Sequence, residues 1–499
     1  MIKIKLTMGL KQLAAMLCSA LISSSLSAET AEHISQQQIN ILNLEDPIGA
    51  FNKVFEVGDE LFEHPFQASE GVGANVGNGQ RFSLVPRADL KGQQQWSQHQ
   101  PKRVTGPNAR SCDICHSQPF SDGAGRVVMN NIRDPQHSGD VAKFINRQPP
   151  HIFGIGALQL LAEEMTQELK IIARLAGLQA AEMGAVVTVP LIAKGITFGQ
   201  LRVDSAGTFD YSQVQGVDDD LLVKPIEWKG ITSYIRAFAR DAGHNELGMQ
   251  ATEMAGHDVD GDGDGVVNEL SVGDITAMVI YQAAQPRPTT RQELAALGLT
   301  APLSSVEQQQ IAQGEQAFTQ AACDSCHTPQ LLLQNAVFSE PSRVKEYRDQ
   351  RFPAGQDPVA NGLSIENAIT FDLTADLPDN RVTITDGSTF NLGNFQRDLA
   401  GMTQVKLFGD LKRHDMGPKL AESIDEAGTG SANFITAELW GVGSTPPYLH
   451  DGRATSLEQA ILFHGGESAS SRALYVSLSA QNKVALQAFL NNLVLYKAE

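Results

Sequence analysis

Four of the five cysteines fall into two copies of one short pattern, Cys112-Asp113-Ile114-Cys115-His116 and Cys323-Asp324-Ser325-Cys326-His327. Two thiols three residues apart on one turn reach the two vinyl groups of a haem, and the histidine that follows lies under the iron as proximal ligand. A thioredoxin-like redox pair needs no histidine and follows a strand in a βαβ unit, which neither copy does. A four-cysteine zinc site would have to gather two distant pairs and would leave the repeated histidine unexplained. The spacing therefore predicts two covalently bound haem c groups, one on Cys112 and Cys115 with His116, the other on Cys323 and Cys326 with His327.

The fifth cysteine, Cys18, sits in an apolar run from Leu13 to Leu26 that follows Lys3, Lys5 and Lys11 and ends in Ser25-Leu26-Ser27-Ala28. A basic start, a short apolar stretch and small residues make a secretory signal over 1–28, and the run is shorter than the roughly 20 apolar residues a membrane span needs. Ala15-Met16-Leu17 lacks the small residues of a lipoprotein cleavage site before Cys18. Export to a bacterial periplasm, with no membrane span, is the expectation. Charge limits the partners: 38 Lys and Arg against 57 Asp and Glu give −19. Such a field repels nucleic acid and anionic lipid and favours a basic electron-donor protein as partner.

With 499 residues the chain is too long for one small core. Ser304-Ser305-Val306 reads as a helix cap, and Ile311, Gly314 and Phe318 recur at near-helical spacing before Cys323. Gly58-Asp59-Glu60-Leu61-Phe62 opens the first copy in a related way, followed by an insertion rich in Gln, Gly and Asn. A core helix is predicted over Ala157 to Leu175, with Leu158, Leu161, Met165 and Leu169 on one face. Residues 185–215 are β-rich and broken by glycines. A helical pattern returns through Ile231, Tyr234, Ile235 and Phe238, and Pro286-Arg287-Pro288 marks a domain boundary. A capping box at Thr455 to Glu458 and a last helix from Ser479, with Leu486, Phe489, Leu490 and Leu493 on one face, complete the reading. The fold class is mainly α: two cytochrome c-like haem domains, 29–288 and 289–499, with a small β-rich insertion in the first.

Asp258, Asp260, Asp262 and Asp264 alternate with valine or glycine and are followed by Glu269, which lets several carboxylates converge on one hard cation. Counted from Asp258, the loop places Glu269 as the final bidentate ligand but puts Gly265 where an apolar residue belongs. Counted from Asp260, Val267 is apolar as required and Ser271 replaces the acid. Both registers imply Ca2+. For the second haem, His414, Met416 and His450 compete as distal ligands, and His64, His151, His244 and Met249 are candidates for the first. His33, His99 and His137 lie in polar loops without supporting context.

Taken with the segments Pro150 to Leu161, His414-Asp415-Met416-Gly417-Pro418, and Tyr448 to Arg453 followed by His464-Gly465-Gly466-Glu467, the motifs resemble the di-haem cytochrome c peroxidase superfamily. The resemblance is greatest to the di-haem oxidoreductases sometimes called thiol oxidoreductases. It implies two cytochrome c-like domains, a calcium beside them, one haem reached by a small oxidant such as peroxide, and a second haem relaying electrons. It carries over no catalytic acid. A non-catalytic electron-transfer cytochrome and a haem oxygenase acting on a bulky apolar substrate are the alternatives, because a fold of this kind does not fix the substrate.

Overall fold

The computed structural model describes residues 30–75, 81–82, 109–126, 131–133, 145–375, 377–378, 380–384, 386–425 and 427–497. The signal segment expected over 1–28, with Cys18, and also His99 and His137, lie outside them. Nine helices carry the argument: α1 (Gln36–Glu45), α2 (Pro47–Glu63), α3 (Ile155–Met183), α4 (Ile235–Ala242), α5 (Val272–Ala283), α6 (Ser305–Gln320), α7 (Leu457–Phe463), α8 (Ala469–Ser477) and α9 (Ala480–Leu490). Strands are short and locally paired, so the described chain is mainly helical with small β elements.

Two helix crossings position the motifs. Helix α2 starts on Pro47, whose missing N–H suits the first turn, and buries Phe51, Val54, Phe55, Leu61 and Phe62. It lies against α5, which is buried along its whole length. At the crossing a methyl group on Gly58 would run into the Ala277 carbonyl oxygen. Helix α6 crosses α9 in the same manner, with Gly314 against the carbonyl of Ala485. Each crossing needs a residue without Cβ, and each delivers one Cys-x-x-Cys-His segment shortly after its first helix or against it. Ser304 and Glu307 form the reciprocal cap of α6, as the sequence predicts.

Two cores result. The smaller unites Ile311, Ala317, Phe318 and Ala321 with Leu457, Tyr475, Leu486, Phe489, Leu490 and Leu493. The larger joins α2, α3 and α5 to Leu331, Phe338, Tyr347, Phe371, Val405, Leu407 and Trp440. Packing therefore runs across the 288/289 boundary drawn from the sequence, because 331–407 buries its apolar residues against the N-terminal helices. The chain end returns to that boundary, where Leu493–Val494 pairs antiparallel with Thr289–Thr290. Buried Arg236 adds a polar tie, bonding to Glu253 and Glu340, while Arg240 bonds to Glu253 and Asp349.

The β-rich insertion is a three-stranded antiparallel meander: β1 (Val187–Ala193), β2 (Ile196–Val203) and β3 (Phe209–Asp210). Lys194 and Gly195, both at positive φ (48° and 83°), make the two-residue turn between β1 and β2, the conformation that matches strand twist in a tight hairpin. Val187 and Val203 pack on Ala176 and Ala180 of α3. That support explains why α3 continues to Met183 rather than ending near Leu175. Two further boundaries differ from expectation. The cap of α7 is Ser456, accepting from the N–H of Gln459, not Thr455 with Glu458. Helix α4 starts at Ile235 because Thr232 is held in a bridge to Ile226.

Candidate functional site

The first motif is a single turn hung from the end of α2. The N–H of Cys112 donates to the Phe62 carbonyl (3.0 Å), and the N–H groups of Cys115 and His116 donate back to the Cys112 carbonyl (3.1 and 3.0 Å). His116 Nδ1 faces the Gly123 carbonyl at 3.3 Å. Burial lowers its pKa to about 4, so the ring is the neutral imidazole that ligates a metal. Cys112, Cys115 and His116 line a cavity of about 1050 Å³ whose walls include Phe62, Met254, Met278, His151, Trp228 and Trp440. Asn245, Glu246 and Leu247 also line it, from the single π-helical turn Gly243–Leu247 that follows α4. Such turns recur at functional sites.

The second motif repeats the geometry at the end of α6. The N–H of His327 donates to the Cys323 carbonyl (3.0 Å), its Nδ1 donates to the Phe408 carbonyl (3.0 Å), and burial lowers its pKa to about 4. Its cavity, about 250 Å³, is lined by Phe318, Leu439, Leu457, Leu486 and Leu490 and by His414, Met416, His450 and His464. None of the four motif cysteines is in a disulfide. Paired thiols on one turn, a neutral imidazole anchored through Nδ1 and an apolar cavity are the donor set that a covalently bound haem requires, and both sites fit it.

The two cavities share a wall. Gln148, Pro149, Pro150, His151, Trp228, Glu438 and Trp440 line both. Trp228 Nε1 donates to the Gln148 carbonyl (2.7 Å) and His151 Nε2 donates to the Trp440 carbonyl (3.0 Å), which fixes the wall from each side. Burial raises the Glu438 carboxyl to about 7, well above the usual carboxylate range.

The predicted ligands separate on this geometry. His414 is clasped between Asp410 on Nε2 (2.9 Å) and Glu467 on Nδ1 (2.8 Å). Burial opposes its charge, but the bond to Asp410 prevails and raises its pKa to about 10. His450 is buried, stacked on Phe434 with ring centres 4.3 Å apart. Of His64, His151, His244 and Met249, His151 is on a wall of the first cavity, while His64 bonds to Glu70 at 3.1 Å. His33 bonds to Asp274 near the start of α5. Trp228, Glu246, Glu438, Trp440 and His464 line the cavities without having been weighed from sequence. Each comes close to a motif through tertiary packing; the sequence signals were the His-Gly-Gly-Glu tail that His464 opens, the Leu439-Trp440-Gly441 segment that belongs to the same resemblance, and the place of Glu246 between His244 and Met249.

In the acidic loop Asp260 accepts from the N–H groups of Gly263, Asp264 and Gly265. Carboxylate oxygens of Asp260, Asp262 and Asp264 lie within 4.8 Å of one another. Asp262 is 1% exposed and neither of its oxygens receives a hydrogen bond. Glu269 is buried beside them and accepts from the Gln250 N–H (2.8 Å). Asp258 is turned aside into a two-way pairing with Asn268. The grouped carboxylates thus leave Asp258 out, as a count from Asp260 would, while Glu269, the last acid of the count from Asp258, is the one buried beside them.

Comparison with known proteins bears on these sites. Residues 380–493 match the family model "Di-haem oxidoreductase, putative peroxidase". The resemblance to the di-haem oxidoreductases read from the sequence is borne out over that stretch. The matched stretch carries His414, Met416, His450, Trp440 and His464, all of which line the second cavity. Among solved structures, a MauG-like protein associated with microbial copper homeostasis is similar at 17% identity and a TM-score of 0.26, covering 59% of this chain and 78% of that one. No curated protein matches. Among the described residues no helix is long and apolar enough to cross a membrane.

Proposed function

We propose that the protein is a periplasmic di-haem c-type oxidoreductase of peroxidase type, with two cytochrome c-like units built on the α2/α5 and α6/α9 crossings. The haem at His116 is the substrate site, and the haem at His327 relays electrons from a basic donor protein. The observation that carries this reading is the shared wall: one layer of side chains, including Trp228 and Trp440, lies between two cavities that each hold a Cys-x-x-Cys-His turn. Bound haem supplies an iron able to exchange electrons with a small oxidant. Peroxide reduction consumes two electrons and two protons per molecule and yields two waters, so the chain must supply protons where the oxidant binds. Glu246 on the wall of the larger cavity is placed to hold and move a proton there, and Glu438 is placed to hold a second one in the wall between the cavities. The second cavity is the smaller and more apolar of the two, which suits a haem that relays electrons. We also assign Ca2+ to Asp260, Asp262, Asp264 and Glu269, hard oxygen ligands suited to that ion.

The test uses protein matured with a haem-attachment system. Its mass should exceed that of the mature polypeptide by two haems, one iron of the reduced protein should bind carbon monoxide, and peroxide should be consumed when a reductant is present. Two irons that never bind carbon monoxide, together with no peroxide turnover, would leave an electron carrier instead.

A further inference from the structure

His464 ends α7, and its Nδ1 donates to the Ala460 carbonyl four residues back at 2.9 Å. His327 is anchored in the same way, by Nδ1 on the Phe408 carbonyl at 3.0 Å. An imidazole that donates through Nδ1 keeps its lone pair on Nε2. The two rings stand with centres 6.4 Å apart and planes inclined by 50°, and both line the cavity beside Cys323 and Cys326.

That separation has a simple meaning if an iron lies between them. A bond from imidazole nitrogen to a first-row metal is about 2.0 Å long. Ring edges of about 1.35 Å place the centre of a five-membered ring about 1.15 Å behind its nitrogen. Two imidazoles on opposite sides of one iron therefore have centres about 6.3 Å apart. Each proximal histidine also has a phenyl ring beside it, Phe318 at 6.4 Å from His327 and Phe62 at 5.9 Å from His116, but a phenyl has no atom to offer a metal, and His464 is the neighbour of His327 that has one.

We propose that His464 is the sixth ligand of the second haem, opposite His327, so that this iron is held by two imidazoles. The proposal rests on the haem reading above and goes beyond it by naming the ligand and closing one iron. Two of its three competitors are engaged elsewhere, and the third, Met416, lines the same cavity and is decided by the spectra below. Both nitrogens of His414 are taken by carboxylates, and His450 lies flat on Phe434 with Nε2 3.8 Å from Glu422. The turn after His464 is fixed by close packing, since Cβ atoms on Gly417 and Gly466 would collide with each other's backbone. Glu467 then reaches back to His414 and to the N–H of Asp415. The clasped His414 is in this view a positioning residue that holds the His464 turn. Replacing a thioether by a second imidazole lowers an iron potential, since methionine ligation raises it. The second haem becomes a reductant closed to substrate, which leaves chemistry to the iron at His116.

The experiment is spectroscopic and uses the full holoprotein. Mass spectrometry first verifies two attached haems; a missing haem on Cys323 and Cys326 would overturn the haem reading itself. With both present, near-infrared magnetic circular dichroism of the wild type should show a low-spin iron with the charge-transfer band of two imidazoles. H464A should convert that iron to high spin, and free imidazole should restore the low-spin signal. H464M should keep it low spin while moving the band to the imidazole–thioether position and raising the midpoint potential. The same spectra recorded for H414Q, M416L and H450Q should retain the bis-imidazole band. A wild-type band of another ligand type, or H464A with the low-spin signal intact, overturns the assignment, and if a variant fails to accumulate the wild-type band alone decides.

Discussion

Glu246 shows what a single residue can be asked to do. It enters the cavity of the first motif from a π-helical turn, and its own carbonyl accepts the Ala109 N–H at 3.1 Å, so the backbone is tied to the strand of chain that leads into Cys112. A carboxylate fixed on the wall of an oxidant's cavity contributes as a proton donor and acceptor, an effect worth about 10²–10⁴ in rate. Glu246→Gln keeps the shape and removes that capacity. Peroxide turnover should fall within that range while haem content, spin states and melting temperature stay as in the wild type. Activity within a factor of about three of wild type would remove Glu246 from the mechanism, since a group in that role contributes far more. The sequence places this segment near the first haem through its neighbours His244 and Met249, but nothing in Asn245-Glu246-Leu247 singles out the acid, whose approach to Cys112 is created by long-range packing. The haem motifs were legible because attachment chemistry requires five particular residues in one turn. Distal ligands have no such constraint and can come from any element that folds over the cavity.

At the scale of elements, helix periodicity and turn chemistry spoke clearly. The α6 cap, the β-rich insertion and the start of the last helix lie where apolar spacing and capping residues place them, while Leu493, read as the last position on that helix face, belongs to the strand that follows. The end of α3 and the cap of α7 were displaced because packing on the meander and a neighbouring serine decide them. The acidic loop is where local pattern and three-dimensional environment meet. Without a cation, burial and the neighbouring Asp264 raise Asp262 to about 7, and burial with Asp262 raises Glu269 to about 10. The folded state then holds protons that the unfolded chain releases from about pH 4 upward. The sign follows: stability of the chelated protein is fullest below that range and falls as pH rises through 4 to 10. Ca2+ replaces those protons, so its effect must run the opposite way. Melting temperature after chelation should be higher at pH 6 than at pH 8, and added Ca2+ should raise it more at pH 8. Asp262→Asn should abolish most of the Ca2+ response while the thioether attachments remain. A melting curve indifferent to Ca2+ at both pH values, with no calcium in the purified protein, would leave the loop a solvated turn.

Over the whole molecule the chain carries −19, and no internal contact needs such an excess. It acts outward, on what approaches. Long-range attraction speeds encounter with a cationic partner and is screened as ionic strength rises, the Debye length shrinking from about 30 Å at 0.01 M to about 8 Å at 0.15 M salt. Electron delivery is the step that requires a protein partner, whereas peroxide is uncharged and reaches the cavity regardless of the field. The two half-reactions should therefore respond to salt differently. Reduction by a small basic cytochrome should slow at least tenfold between those ionic strengths, in the range of steered association, while the reaction of the pre-reduced protein with peroxide should stay constant. Stopped-flow traces of each half-reaction read this directly, with an acidic cytochrome as control that should speed up with salt instead. A basic donor whose rate ignores ionic strength would mean that the negative surface lies away from the docking face and that the partner recognises the second haem unit through apolar contact.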